Sequence, residues 1–343
     1  MISKTSSCDR LARFSIHTGG PQRHWPDICS LEVKGCRGCL KRRLLAACLA
    51  LAAAPQLGAH QLTPGEPVSL YLTVEQGDKL VRGLGPQNFR LREDGEAVPF
   101  RLEQPETPVS IALLVEDSRA AGYYYWDDLR AALDGFLSNA PAGNWYALGS
   151  FANELEINQD FTQEIPKLRN AFAALGYGAW NESNTYDAVY EMLDKLGRLP
   201  GRKALIFIGS GIDTFSGRTL DDVQKKAEQV NVTVYAVALG SLFRGRLDPY
   251  LGTEARMDLL QARAFLQMLA DKTGGEAWFP NLEGAYPDVM KGIFQSLESQ
   301  YRLVYFPNLP RDGEFHKIEV EAFVIADDER KDFKVRVREG WRQ

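Results

Sequence analysis

Between Pro67 and Glu103 apolar and polar residues alternate with a period of two. Val68, Leu70, Leu72 and Val74 interleave with Ser69, Tyr71 and Thr73, and Phe89 and Leu91 interleave with Arg90 and Arg92. This spacing turns one face of an extended chain toward a core and the other toward water, so it predicts half-buried antiparallel strands. Asp94-Gly95 supplies two residues that tolerate positive φ, the chemistry of a tight hairpin turn. The same texture returns near the other end, where Ile318 and Val320 alternate with Lys317, Glu319 and Glu321, and Phe333, Val335 and Val337 with Lys334, Arg336 and Arg338. Neither stretch has enough strands to bury a core alone. Residues 60–107 and 301–343 are therefore expected to pair into one small β-sandwich.

In the intervening 108–300 the period switches back and forth. Apolar runs at Val109–Val115, Trp145–Phe151, Ala204–Ile208, Val232–Leu239 and Ala277–Phe279 read as buried strands. Between them lie helical stripes: Leu129, Ala132, Leu133, Phe136 and Leu137; Tyr186, Val189, Tyr190, Leu193 and Leu196, stopped by Pro200-Gly201; Leu220, Val223, Ala227 and Val230; Leu259, Ala262, Leu266 and Leu269; Val289, Ile293 and Leu297. Strands that alternate with helices of this length predict an α/β domain, a doubly wound and mainly parallel sheet covered on both faces. In such sheets ligands collect beyond the carboxyl ends of the strands. Here that edge is made of Glu116–Tyr125, Ser150–Asn153, Gly209–Asp213 and Gly240–Tyr250.

The first 59 residues have a different character. Lys41, Arg42 and Arg43 precede the apolar stretch Leu44–Ala54 and a small-residue segment ending near Ala59, the layout of a secretory signal peptide. The apolar stretch is too short to span about 30 Å of hydrocarbon, so export to the periplasm or medium is expected, with no permanent membrane span. Leu45-Ala46-Ala47-Cys48 has the outline of a lipoprotein processing box, with almost no apolar segment before it. All five cysteines, including the CRGC pair at Cys36 and Cys39, fall at or before Cys48. No second CxxC or CxxH accompanies that pair, which argues against zinc, and a translation start near Leu40 would remove it. Cleavage near Ala59 would take the net charge from −5 to about −11. A chain that acidic is a poor partner for nucleic acid or an anionic membrane surface.

Three segments carry a resemblance. An apolar strand closed by an acid-x-Ser loop (LLVEDSR), a later hydroxyl-bearing loop before YDAV, and the run KALIFIGSGIDTFS together resemble a von Willebrand factor A domain, whose doubly wound arrangement is Rossmann-like. The flanks LVRGLGPQNFRLREDGE and YRLVYFPNLPRDGEFHKIEVEA are similar, more narrowly, to exported A-domain-related proteins common in acidobacteria. The resemblance covers roughly residues 66–343. It implies a binding module for a protein or cell-surface partner, in which a DxSxS loop, a distant Thr and a distant Asp hold one Mg²⁺ or Mn²⁺.

Carried over residue by residue, that ion site is degenerate. Glu116 takes the first Asp position, Ser118 the first Ser, and Ser183 the Thr, while Ala120 replaces the second Ser and Ser210 the second Asp. A small hard cation wants about six well-placed oxygens, so these exchanges are expected to weaken it severely. Arg119 is expected to pair with a carboxylate beside the loop and compete with any ion for it. What the edge offers a protein partner is then Arg119, Tyr123, Tyr124 and Tyr125, with Arg244 and Arg246 in the loop FRGRLDPY.

No enzyme signature accompanies these residues. The GSG around Ser210 lacks the GxSxG spacing of a nucleophile elbow, and neither a Walker loop nor GxGxxG occurs. His60 and His316 are the only histidines beyond the signal. The expectation is a non-enzymatic module without a cofactor. A purely structural assembly component, or a hydrolase using Ser210 or Asp213, are the rival readings.

Overall fold

The computed structural model describes residues 66–118, 125–176, 182–239, 252–281, 284–307 and 312–342. The signal-like segment and every cysteine lie outside them. Among the described residues no helix is long and apolar enough to cross a membrane.

The central unit is a six-stranded sheet. Its strands are β6 (Ser110–Glu116), β7 (Trp145–Phe151), β8 (Leu155–Thr162), β9 (Lys203–Gly209), β10 (Thr233–Ala238) and β11 (Glu276–Trp278), in the spatial order β11-β10-β9-β6-β7-β8. All neighbours pair in parallel except β7 and β8, which are antiparallel with a register irregularity. Its helices are α1 (Tyr125–Asn139), α2 (Ile165–Ala174), α3 (Thr185–Gly197), α4 (Leu220–Gln229), α5 (Thr253–Thr273) and α6 (Tyr286–Glu298).

The alternation of β6 divides the core in two. Ile111, Leu113 and Val115 join a cluster with Leu129 and Phe136 of α1, Leu168 and Phe172 of α2, and Met290 and Ile293 of α6. Ala112 and Leu114 join the opposite cluster, with Val189 and Leu193 of α3, Val223 of α4, and Phe265 and Leu269 of α5. Because every β6 side chain from Ile111 to Val115 is fully buried, this strand is apolar throughout, as a strand covered on both faces must be. The hairpin strand β8 and helix α2 were not expected. Seven of the eight β8 residues are exposed or half-buried and their polarity is irregular, so the stretch carries neither period.

The two flanks pair with each other, as expected. They contribute β1 (Val68–Gln76), β2 (Lys79–Leu80), β3 (Phe89–Glu93), β4 (Glu96–Ala97), β5 (Phe100–Glu103), β12 (Tyr301–Tyr305), β13 (Phe315–Ala326), β14 (Glu329–Arg336) and β15 (Gly340–Arg342). Their pairings form one continuous ladder, β4-β3-β13-β14-β1-β12-β5, with β2 on β1 and β15 on β13, and every pairing is antiparallel. The two separately hydrogen-bonded layers of the expected sandwich are thus replaced by a single nine-stranded sheet around one apolar cluster. The reason lies in β1, whose first half pairs with β12 and second half with β14, joining what would otherwise be two layers. Leu70, Leu72 and Val74 from one flank and Leu303, Tyr305, Ile318 and Trp341 from the other share that cluster. Asp94 and Gly95 both have positive φ in the two-residue turn between β3 and β4, as their chemistry predicts.

Since β3 pairs only with β13 and the short β4, deleting residues 312–343 removes its main partner. The amides of Phe89–Glu93 should then lose their protection in hydrogen exchange. Unchanged protection there would show that the N-terminal flank folds without its C-terminal counterpart.

Candidate functional site

Strand β6 ends in Glu116, whose side chain is completely buried. A carboxylate cannot be taken out of water at tolerable cost unless donors replace its hydration. Among the described residues three do, each from a different stretch of chain. The Ser118 and Ser183 hydroxyls donate to Oε1 at 2.8 Å and 2.9 Å, and the backbone N–H of Ser210 donates to Oε2 at 2.5 Å. Ser118 follows β6, Ser183 precedes α3 and Ser210 follows β9, so the acid ties together three loops at the carboxyl edge of the sheet. Gly209 permits this approach, because a Cβ there would lie 3.0 Å from Glu116 Oε2 and 2.8 Å from the Phe207 ring.

A second layer of bonds holds the loops. The Ser183 N–H donates to Thr214 Oγ1 at 2.8 Å, and Thr185 donates to the Ile212 carbonyl at 2.5 Å. Asp213 accepts from the Tyr186 N–H at 3.0 Å and from Ser216 Oγ at 2.5 Å, an anion held at the amino end of α3 where the helix dipole favours it. The Asn184 amide nitrogen donates to the Asn153 carbonyl at 2.8 Å, fastening the same loop to the one after β7. Next to Glu116, Asp117 donates its N–H to Phe151 O at 2.9 Å. Burial pushes the Asp117 carboxyl above its ordinary range; a hydrogen bond from Ser150 opposes the shift, and the nearby charges of Glu156 and Glu116 add to it.

Of the residues singled out in the sequence, Glu116, Ser118, Ser183 and Ser210 therefore come together. Asp213 lies on the Ser210 loop but points its carboxylate at α3. Tyr125 opens α1; its side chain, together with Arg119, Ala120, Tyr123, Tyr124, Arg244 and Arg246, lies outside the described residues. Of the aromatic run, Trp126 is buried in the core beside Leu129. The sequence reading missed Thr185, Thr214 and the Ser210 backbone. The two threonines had a signal, as hydroxyls immediately flanking α3 and in the loop after β9, but a main-chain donor has none.

The described part of the cluster departs from the donor set that the A-domain resemblance implies for a Mg²⁺ or Mn²⁺ ion. Among the described residues Glu116 supplies the only carboxylate of these bonds, both of its oxygens accept hydrogen bonds, and the Ser210 N–H directs its positive end toward it. Among the described residues, no three His, Cys, Asp or Glu side chains gather closely enough to hold a metal. The arrangement works as a hydrogen-bonded crosslink.

No protein-family model matches the chain, and no curated protein matches it. Solved structures do. VWA domains are among them. An aerotolerance-related membrane protein from Bacteroides fragilis is 12% identical, with 55% of this chain and 98% of that one covered and a TM-score of 0.44. The ArnB paralog VWA2 from Sulfolobus acidocaldarius is 12% identical, covering 80% and 72%, at a TM-score of 0.40. The vWF domain of the type V pilus tip protein Mfa5 from Porphyromonas gingivalis is 20% identical, covering 31% and 39%, at 0.28.

Two measurements follow from the cluster. Ser183→Ala strips a buried carboxylate of one donor and should cost about 1–3 kcal/mol in urea unfolding, with no change in m-value. Asp117→Asn should stabilise the fold at neutral pH. A carboxyl whose folded pKa is raised contributes stability that is fully present below its unfolded pKa, near 4, and lost as pH rises through the folded value. The advantage of the Asn variant should therefore shrink on acidification, and a constant difference from pH 3 to pH 8 would rule out burial of Asp117 as its source.

Proposed function

We propose that the chain is an exported, non-enzymatic binding module of the von Willebrand factor A type. In this reading residues 108–300 are a doubly wound A-type domain carried on the sheet made by the flanks. It recognises a protein or cell-surface partner through the carboxyl edge of the central sheet. The observation that carries the reading is the Glu116 cluster. It fastens three edge loops to one another and answers its own charge internally, so the edge is a rigid platform that needs no bridging ion. Recognition then falls to residues that the sequence assigns to the edge loops: Arg119, Tyr123, Tyr124, Tyr125, Arg244 and Arg246. Phe215 lies on the loop that follows Ser210 and is 75% exposed, an apolar contact on the same edge.

The chemistry of the edge supports a binding role over a hydrolytic one. Ser210 Oγ accepts from the Ile212 N–H at 3.1 Å, and Asp213 is engaged by Tyr186 and Ser216, so neither is coupled to the other as nucleophile and base. His316, the only histidine among the described residues, sits in the flanking sheet against Asp94 at 2.9 Å.

Titrating the folded protein with millimolar Mg²⁺ or Mn²⁺ should leave its melting temperature unchanged, because a ligand that binds only the native state must raise it. A saturable rise abolished by Glu116→Gln would overturn the ion-free reading. Changing Tyr124, Arg244 and Arg246 together to Ala should preserve melting and remove capture of the surface partner. Undiminished capture would place recognition elsewhere.

A further inference from the structure

At the opposite end of the sheet, where the flanks join the central unit, lies a cavity of about 310 Å³. Val109, Phe294 and Leu297 give it an apolar wall, with Ile111 behind them, and Arg202 is its buried cation. Arg202 is 5% exposed, yet its donors go to neutral groups. Nε and Nη2 donate to Gln300 Oε1, at 3.0 Å and 2.5 Å, and Nη2 donates to the Leu297 carbonyl. Its guanidinium carbon lies 5.7 Å from the centre of the Tyr71 ring. Among the described residues Nη1 makes no hydrogen bond, and no carboxylate comes within ion-pair distance of the group. The other arginine buried among the described residues, Arg338, differs in that all three of its nitrogens donate to the carbonyls of Gly340, Val230 and Glu228.

We propose that this cavity binds a small apolar monocarboxylate, with the carboxylate on Arg202 Nη1 and the apolar body against Val109, Phe294 and Leu297. The volume falls at the lower end of the range for small-molecule sites, which are mostly apolar with a few fixed polar groups. Buried charges are ordinarily paired, and a guanidinium whose planar fork has an open edge is matched to a carboxylate. Burial lowers the proton affinity of Arg202, and the nearby Tyr235, Tyr71 and Glu106 oppose that shift without pairing with the guanidinium. The exposed Glu298 at the rim disfavours a second negative charge, which restricts the ligand to one. The site is separate from the Glu116 edge and does not depend on it. The residues around it belong to both chain crossings: Gln104, Pro105 and Thr107 lead from β5 into β6, and Glu298 and Gln300 lead from α6 into β12.

The test uses the whole folded protein, with hexanoate as the probe and hexanamide as its uncharged counterpart, followed by calorimetry and melting temperature. Hexanoate should bind saturably and raise the melting temperature, and hexanamide should bind at least about tenfold more weakly, the factor expected for losing a charge-assisted hydrogen bond. Arg202→Gln should reduce hexanoate binding to the level of the amide. Gln104→Trp, at an exposed position on the cavity wall, leaves Arg202 intact and should also weaken binding, which keeps the test decisive if Arg202→Gln fails to fold. Equal binding of acid and amide, no binding of either, or unchanged affinity in Gln104→Trp would overturn the proposal.

Discussion

The architecture turns on one buried acid. Glu116 closes β6, the strand flanked by β9 and β7 in the middle of the central sheet, and its carboxylate is fully removed from water. An ion placed there without partners would be one of the most costly groups in the molecule. Ser118, Ser183 and Ser210 remove that cost only if the loops after β6, before α3 and after β9 all hold their positions at once. The local order of the edge is therefore a consequence of burying this charge, and each loop is stabilised by the presence of the other two.

The flanking sheet is coupled to the central unit by a different means. Arg336 bridges Glu75 of β1 at 2.6 Å and Glu276 of β11 at 2.8 Å, joining the two sheets directly. Arg338 donates to the carbonyls of Glu228 and Val230 at the end of α4, and Arg202 binds Gln300 where α6 runs into β12. These contacts use arginine because its planar fork reaches two acceptors at once while the charge stays hydrogen-bonded. Among the described residues, these arginine cross-links lie away from the edge carrying Glu116.

Much of this was legible in the sequence wherever one interaction dominated the pattern. The buried strands β6, β9 and β10 are uninterrupted apolar runs because helices cover both faces, and β3 alternates because it faces a core on one side, whereas β1, written with the same alternation, is buried on both faces from Leu70 to Glu75. The Asp94-Gly95 turn was legible from the same φ requirement that the fold imposes on it. Strand β8 was not, since an exposed edge strand such as LEINQDFT is under no pressure to repeat with period two. Nor was the turn at Asp327-Asp328, where both residues take positive φ without a glycine to announce it. At the site, Glu116, Ser118 and Ser183 could be named because side-chain oxygens are written in the sequence. The Ser210 contribution came through its main-chain N–H, which any residue there could supply. Ser210 was expected as the residue standing in for a lost carboxylate, and instead it supplies a donor to the carboxylate that remains.

In the proposed reading, Glu116 and its hydroxyl partners stabilise the fold by bonding to one another without an ion between them. A double-mutant cycle for Glu116→Gln and Ser183→Ala, measured by urea unfolding with and without millimolar Mg²⁺, tests it most directly. The expected coupling energy is about 1–3 kcal/mol, the same in both conditions. A coupling near zero, or one that changes when Mg²⁺ is added, would contradict it.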